Sequence, residues 1–151
     1  MKSTIPQERP QLLIADDEPG LVSALVRAAR REGMSCVTDT TGSNVMKLAR
    51  LHRPSVALID IRQQVDGRDL LAALKRDPET RHIKVIMLSA VEDQFTRHLC
   101  FELGADDYET KPFDPRLMAK VRRMVQAALT EEAARSTPLS LSERLPVSAV
   151  G

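Results

Sequence analysis

The chain has 151 residues, of which 42% are apolar and 28% are charged, and this composition is typical of a globular protein rather than a disordered one. Its 22 Lys and Arg residues are balanced by 21 Asp and Glu residues, so the overall charge gives no general attraction to nucleic acid or to an anionic membrane. The chain shows no secretory signal and no apolar run near the ~20 residues that cross a bilayer, so we expect a cytoplasmic protein with no membrane partner.

Residues 1–10 are polar and contain two prolines, so we expect a flexible arm there. After this arm, five short apolar runs predict strands. The central runs are rich in Val, Ile and Leu without alternation, which is typical of strands buried on both faces of a parallel sheet. The predicted strands are Leu12–Ala15, Cys36–Thr38, Val56–Ile59, Val85–Leu88 and a weaker Asp107–Glu109.

Apolar residues at helical spacing predict an amphipathic helix after each strand. The five apolar stripes are Leu21, Leu25 and Ala28; Val45, Leu48, Ala49 and His52; Leu70 and Leu74; Phe95, Leu99 and Leu103; and Leu117, Val121, Met124 and Ala128. Five strand–helix units predict a single α/β domain with a doubly wound, flavodoxin-like (βα)5 fold. In such a fold, helices cover both faces of a parallel sheet.

We assign the folded domain to residues 11–130. Residues 131–151 turn to Ser, Pro and small residues and are too short for a second domain, so we expect a flexible tail or linker. A tail of this length has no room for a helix-turn-helix. A DNA-binding regulator is therefore disfavoured, unless the chain is a piece of a longer protein.

Polar side chains interrupt the apolar runs where the predicted strands end. Asp16 and Asp17 follow the first strand, and Asp60 ends the third. Ser89 ends the fourth strand and Lys111 follows the fifth. Taken singly, each has an ordinary explanation, the carboxylates as helix caps and the others as surface groups. Ligands of such sheets bind at the carboxyl ends of the strands, so the joint placement of these residues indicates a site.

Three crowded carboxylates repel one another, and a bound divalent cation relieves that repulsion. Oxygen ligands favour Mg²⁺, with Mn²⁺ as a substitute. Asp17 and Asp60 are predicted as direct ligands, with Asp16 acting through water. An aspartate beside a metal and a lysine can attack a phosphoryl group, while Lys111 neutralises charge on the transferred oxygens.

These residues resemble a known family, the receiver domain of two-component response regulators, of the chemotaxis-regulator type. The resemblance spans about residues 11–130 and follows the family's order of motifs. The matching pieces are LLIADDEP at 12–19, VALIDI at 56–61, DG at 66–67, IKVIMLSA at 83–90 and GADDYETKPF at 104–113.

The resemblance implies a role for each site residue. Asp60 would be the phospho-acceptor, with Lys111 and Ser89 as its catalytic partners. Ser89 would also be the switch hydroxyl that turns toward the phosphoryl group, and Tyr108 the switch aromatic that rotates inward behind it. The peptide between Lys111 and Pro112 would be cis.

The resemblance also implies a fourth metal ligand, the carbonyl of Arg62, beside Asp16, Asp17 and Asp60. The sequence departs from the family at this point. The family usually has Met-Pro shortly after its phospho-aspartate and a loop one residue longer, whereas this chain has DIRQQVDG from Asp60 to Gly67. The shortened loop could misplace the Arg62 carbonyl, and the Arg62 charge could steady the acyl phosphate.

The function implied is a phospho-switch that receives phosphate from a histidine kinase or a histidine phosphotransfer protein. The chain would catalyse its own aspartyl phosphorylation and dephosphorylation, with no separate metabolic reaction. Output would pass through the fourth helix, fifth strand and fifth helix to an unidentified protein or a second copy, without direct nucleic-acid contact. Arg116, Lys120 and Arg123 form a basic stripe there, either an ordinary solvated face or a docking surface for an acidic partner.

Two other functions stay open. A pseudo-receiver would keep the fold and act as an interaction module without phosphate; the shortened loop favours it, and the intact site residues argue against it. A phosphohydrolase of the haloacid-dehalogenase type would carry DxDxT after the first strand. The DDEPG found at that position does not match.

Overall fold

The computed structural model describes residues 10–90 and 92–136 of the chain. Within these residues, five strands alternate with five helices. The strands are β1 (Leu12–Ala15), β2 (Cys36–Asp39), β3 (Val56–Asp60), β4 (Lys84–Ser89) and β5 (Asp107–Thr110). The helices are α1 (Pro19–Arg31), α2 (Val45–His52), α3 (Gly67–Arg76), α4 (Gln94–Glu102) and α5 (Leu117–Ser136).

The strands of the described residues form one parallel sheet in the order β2-β1-β3-β4-β5. The chain runs outward from β1 to β2 and then returns to the other side of β1 to form β3. Helices α1 and α5 pack on one face of the sheet, and α2, α3 and α4 pack on the other. The predicted doubly wound, flavodoxin-like (βα)5 fold is confirmed.

Alternate residues of each central strand supply the two halves of the core. In β3, Ala57 and Ile59 pack toward α2 and α3, whereas Val56 and Leu58 pack toward α1 and α5. All four side chains are fully buried. Burying a side chain of the size of Val, Leu or Ile contributes about 1.5–3 kcal/mol. The apolar runs that predict the strands are therefore also a main source of the rigidity that holds the strand ends in place.

Four strands extend one residue further at the carboxyl end than the sequence predicts. The added residues are Asp39, Asp60, Ser89 and Thr110. Backbone pairing does not depend on the polarity of the side chain, so these polar residues join the ladder. Asp60 pairs with Leu88, and Ser89 pairs with Thr110. The sheet therefore carries polar side chains directly on its carboxyl edge.

The predicted apolar stripe of α4 is wrong at Phe95. Phe95 is 72% exposed, and Cys100 is the buried residue of this helix. At 3.6 residues per turn, positions five apart lie about 140° around the helix from each other, so Phe95 cannot share the face of Cys100. In α1, too, the buried face lies differently from the predicted stripe, at Val22, Leu25 and Ala29.

Helix α5 continues into the segment 131–151 that the sequence assigns to a tail, as far as Ser136. Glu, Ala and Arg in this stretch favour helices, and the first proline comes only at Pro138. The predicted arm at residues 1–9 and the remainder of the tail, residues 137–151, lie outside the described residues. Neither α5 nor any other helix in the described ranges is long and apolar enough to cross a membrane.

Candidate active site

Polar residues meet at the carboxyl edge of the sheet because the strands that carry them end there. Asp16 follows β1 directly, Asp60 is the last residue of β3, and Ser89 is the last residue of β4. Lys111 follows β5, and its backbone N–H donates to the Ser89 carbonyl at 2.7 Å. This bond ties the ends of β4 and β5 together. The parallel register thus delivers four of the five predicted residues from four strands, and Asp17 follows Asp16.

Asp16, Asp17 and Asp60 form a cluster of carboxylates, in which one oxygen from each residue lies within 4.8 Å of the others. Asp16 and Asp60 are buried, whereas Asp17 is exposed. Burial and repulsion from Asp16 raise the pKa of Asp60 to about 6, against the opposing effects of Lys111 and the Arg62 backbone N–H. The raised pKa shows that the chain only partly compensates the negative charge, which is the condition that a cation relieves.

The ammonium group of Lys111 lies among the carboxylates. Its Nζ is 3.0 Å from Oδ2 of Asp16 and 3.7 Å from Oδ1 of Asp60. Burial acts to lower the pKa of Lys111, but hydrogen bonds to Asp16 and Glu18 outweigh it, and the pKa is raised. Lys111 therefore stays charged and places a fixed positive charge beside Asp60.

Glu18 belongs to this site although the sequence analysis did not single it out. Its Oε1 lies 3.1 Å from Lys111 Nζ, and its backbone N–H donates to Oδ1 of Asp16 at 3.0 Å. Glu18 occupies the N-cap position of α1, but its side chain makes no capping hydrogen bond. The available signal was its position directly after the acid pair, which makes it a third consecutive carboxylate at the end of β1.

A cleft of about 530 Å³ opens beside the acid cluster. Asp17 and Ser89 line it together with Arg62 from the β3–α3 loop and Thr96 from the first turn of α4. The Arg62 side chain is exposed, and its backbone N–H contributes a hydrogen bond to the Asp60 carboxylate. Three of the predicted site residues, Asp17, Arg62 and Ser89, therefore face the same cleft, while the metal contact of the Arg62 carbonyl stays a prediction.

The β3–α3 loop packs closely against the end of β3. A Cβ on Gly67 would lie 2.2 Å from the carbonyl oxygen of Asp60, a distance that no side chain tolerates. Gln63 donates from Nε2 to the same carbonyl oxygen at 2.9 Å. The DG pair gave a sequence signal for Gly67, whereas no motif pointed to Gln63. The peptide between Lys111 and Pro112, on the other side of the site, is cis.

A family model for the response regulator receiver domain matches residues 12–123. The chain belongs to this family. The alkaline phosphatase synthesis transcriptional regulatory protein PhoP of Bacillus subtilis (strain 168) is 32% identical over 136 residues, which cover 88% of this chain and 55% of that protein. The DNA-binding response regulator MtrA of Mycolicibacterium smegmatis is 34% identical over 116 residues, covering 76% and 50% respectively. This chain spans about half the length of the curated relatives it matches.

Solved structures of receiver domains superpose on the chain. The receiver domain of Francisella response regulator 1452 shares 26% identity with a TM-score of 0.71, over 78% of this chain and 98% of that one. A CheY-like receiver domain protein from Methanospirillum hungatei has a TM-score of 0.72 over 80% and 96%. Its 23% identity supports the fold alone. The predicted identification as a receiver domain is confirmed.

The predicted switch aromatic of this receiver domain, Tyr108, already lies inward. It is 4% exposed and packs in the core beneath α4. The guanidinium carbon of Arg97 lies 5.3 Å from the centroid of the Tyr108 ring and 5.5 Å from that of Phe101. In this structure the ring is therefore already covered, and its role as a switch stays a prediction.

The predicted basic stripe on the receiver's fifth helix is largely paired within the chain. Arg116 lies just before α5, and its Nη2 is 2.8 Å from Oδ2 of Asp114. Lys120 contacts both Asp107 and Glu109 of β5. The Lys120 contacts join α5 to β5, and together with the Arg116 pair they neutralise much of the stripe, so it is not a continuous cationic surface.

Proposed function

We propose that this receiver domain is a phospho-switch whose acceptor is Asp60, phosphorylated by a histidine kinase or a histidine phosphotransfer protein. The observation that carries the proposal is the acid cluster around Asp60 with the Lys111 ammonium 3.7 Å away. With a pKa of about 6, Asp60 is largely ionised at neutral pH and available as a nucleophile.

The donor set of the cluster fits a hard divalent cation. Three carboxylates with mutually close oxygens, one of them exposed, suit Mg²⁺ or Mn²⁺, which keep several waters when bound to proteins. Asp17 and Asp60 would bind the ion directly, Asp16 would act through water, and the Arg62 carbonyl would complete the set. When bound, the ion supplies positive charge to the oxygens of the transferred phosphoryl group.

The chain's own residues divide the work of phosphoryl transfer. An Asp60 carboxylate oxygen attacks the phosphorus of a phosphohistidine, so that a P–O bond forms as the P–N bond breaks and the donor imidazole leaves. The Lys111 ammonium stabilises the negative charge on the phosphoryl oxygens. The Ser89 hydroxyl donates a hydrogen bond to one of them. Water later hydrolyses the acyl phosphate and restores the Asp60 carboxylate, which makes the modification reversible.

The output of the switch is proposed to run through α4, β5 and α5, to a partner protein or a second copy of the chain. A second route concerns nucleic acid, which the sequence analysis disfavoured because of the short tail. The relatives are named as transcriptional or DNA-binding regulators, and this chain spans about half their length. Those names weaken the argument against DNA, because a longer protein could carry a DNA-binding part.

The experiment is labelling by acetyl phosphate, followed by intact mass. Wild type should be labelled only with Mg²⁺ or Mn²⁺, and EDTA should prevent it. Asp60→Asn should abolish labelling, and Asp17→Asn should raise the Mg²⁺ requirement because it removes a ligand. Asp69→Asn, an exposed change on α3, is the matched control and should be labelled normally.

Two results would contradict the phospho-switch. Undiminished labelling of Asp60→Asn would show that the acceptor lies elsewhere. The second result has two parts: wild type is not labelled, and the amide resonances of Ser89 and Lys111 do not shift when beryllofluoride and Mg²⁺ are added. This result would favour the phosphate-independent pseudo-receiver.

A further inference from the structure

The side chain of Gln63 joins the ends of the two strands that carry the acid cluster. Its Nε2 donates to the carbonyl oxygen of Asp60, at the end of β3, at 2.9 Å. The same Nε2 makes a longer contact, 3.4 Å, with the carbonyl oxygen of Ala15, the last residue of β1. Asp16 and Asp17 follow Ala15 in the chain. One amide group therefore spans the two backbone segments that hold all three carboxylates.

The neighbours of Gln63 enclose its side chain. A Cβ on Gly42, in the β2–α2 loop, would lie 3.2 Å from Oε1 of Gln63 and 3.1 Å from Cβ of Val65. Gly42 also has a φ of +83°, which disfavours any other residue there. Within the β3–α3 loop, the Gly67 N–H donates to the Ile61 carbonyl at 2.9 Å. The amide is thus held between two loops rather than projecting into solvent.

The amide of Gln63 is not explained by packing alone. Its Oε1 is buried and accepts no hydrogen bond within the described part of the chain. A buried acceptor without a donor destabilises the folded protein relative to an apolar group of the same shape. Met or Leu would fill nearly the same space without this penalty. What glutamine adds is the Nε2 donor that reaches both strand ends.

We infer that Gln63 is a positioning residue for the metal centre, because its amide fixes the separation between the Asp60 strand end and the Asp16–Asp17 strand end. The inference rests on the proposed function of this cluster. Like charges push these segments apart, and Mg²⁺ requires near-octahedral geometry from its ligands. Residues that orient metal ligands from behind typically change metal affinity 10–100-fold when removed.

The test compares Gln63→Met with Gln64→Met, the same change at the exposed neighbouring position. Mg²⁺ affinity is measured by calorimetry, and the Tm is measured separately in EDTA. Gln63→Met should bind Mg²⁺ about tenfold more weakly, because the strand ends are no longer tied. Its Tm in EDTA should be unchanged or higher, because the buried Oε1 is gone. Gln64→Met should alter neither quantity, and Gln63→Leu is a second variant with the expectations of Gln63→Met.

Labelling of Asp60 by acetyl phosphate adds a second readout. In Gln63→Met the Mg²⁺ concentration for half-maximal labelling should rise about tenfold. The rate at saturating Mg²⁺ should return to near the wild-type value, because Gln63 does not contact the reacting atoms. A general weakening of the fold would instead change both the Mg²⁺ concentration for half-maximal labelling and the rate at saturating Mg²⁺.

The outcomes separate this inference from the proposed function. Wild-type Mg²⁺ affinity in both Gln63 variants would overturn the inference and leave phosphorylation of Asp60 standing. A parallel fall of Tm and Mg²⁺ affinity would also overturn it, because that is the behaviour of a packing residue. If wild type binds Mg²⁺ but is not labelled, the phospho-switch fails while the affinities still decide the role of Gln63. A wild type that binds no Mg²⁺ overturns both.

Discussion

The environment of the Asp60 side chain disfavours the ionised form of its carboxyl group. It is 4% exposed, and burial together with Asp16 raises its pKa from 3.8 to about 6. Between those two values the folded protein holds a proton that the unfolded chain has already released. By linkage, the stability of the metal-free protein falls as the pH rises from about 4 to about 6, and it stays lower above that range. The carboxylate proposed as the phospho-acceptor is therefore a source of instability until its charge is compensated.

We predict that Asp60→Asn stabilises the metal-free protein at pH 7.5. Asparagine has no proton to lose, so the variant should lack the loss of stability between about pH 4 and 6 and gain roughly 1–3 kcal/mol at neutral pH. Urea unfolding in EDTA at several pH values measures this, with the exposed Glu131→Gln as control. Identical pH profiles for wild type and Asp60→Asn would show that the buried carboxylate is not destabilising.

Gly67 allows the β3–α3 loop to pass over the Asp60 carbonyl. A Cβ there would lie 2.2 Å from that oxygen, so Gly67→Ala must displace the loop. We predict a loss of about 1–3 kcal/mol in stability, as for other overpacked sites, together with weaker Mg²⁺ binding. The control is Gly20→Ala in the first turn of α1, where a Cβ meets nothing within 4 Å, and which should be neutral or stabilising. Equal stability of the two variants would contradict the close packing.

The sequence predicted those candidate site residues that lie at the ends of strands. Asp16, Asp60 and Lys111 lie at the end of a strand or directly after one. The apolar pattern of the strands and their order along the chain were therefore enough to predict that these residues lie close together. Glu18 and Gln63 act through side chains that reach across from one strand end to another. Their contacts depend on the path of two loops, and neither spacing nor polarity encodes that path.

The contact between α4 and β5 is made by an arginine over two aromatic rings. Arg97 of α4 lies over Tyr108 of β5 and over Phe101 of its own helix. A cation over an aromatic face contributes about 0.5–2 kcal/mol, depending on its exposure. The guanidinium also covers Tyr108, so the position of the ring is coupled to the position of the helix.

We predict that Arg97→Ala loosens Tyr108. The chain has one Tyr and no Trp, so its intrinsic fluorescence reports on this ring alone. Acrylamide should quench that fluorescence more strongly in Arg97→Ala, and stability should fall by about 1 kcal/mol as the cation–π contact is lost. Arg123→Ala on α5 is the control and should leave quenching unchanged. Unaltered quenching in Arg97→Ala would show that the core, not the arginine, holds Tyr108.

Strands were easier to predict than the buried faces of helices. The three central strands are apolar runs buried on both sides, so a small error in their bounds does not change which of their apolar side chains belong to the core. A helix of nine residues such as α4 offers more than one apolar stripe, and Phe95 and Cys100 lie on different ones. In the folded protein, the stripe that contains Cys100 packs against the sheet. That choice depends on tertiary packing, which the periodicity of α4 alone does not contain.

The alternation of five apolar runs with five amphipathic segments was sufficient to predict the overall fold. It was not sufficient to predict the charge of the proposed output surface. The predicted basic stripe took no account of acids on the neighbouring strand, and β5 supplies Asp107 and Glu109 to Lys120. Internal pairing of this kind is set by strand order, since α5 packs beside β5 only once the sheet has formed. The charge left for a partner is therefore smaller than the helix sequence indicates.

Association of the receiver domain is proposed to run through α4, β5 and α5. Of the three stripe residues, Arg123 is exposed and makes no ion pair with any described residue, whereas Arg116 and Lys120 are paired. We predict that beryllofluoride with Mg²⁺ promotes dimerisation by about 1–3 kcal/mol. A ligand favours the state that it contacts better, and we expect that state to be the one that associates. Arg123→Glu should weaken the dimer, and added salt should do the same. Sedimentation measures this, with Arg27→Glu on the exposed side of α1 as control. Equal association with and without beryllofluoride would place the output elsewhere and strengthen the phosphate-independent alternative.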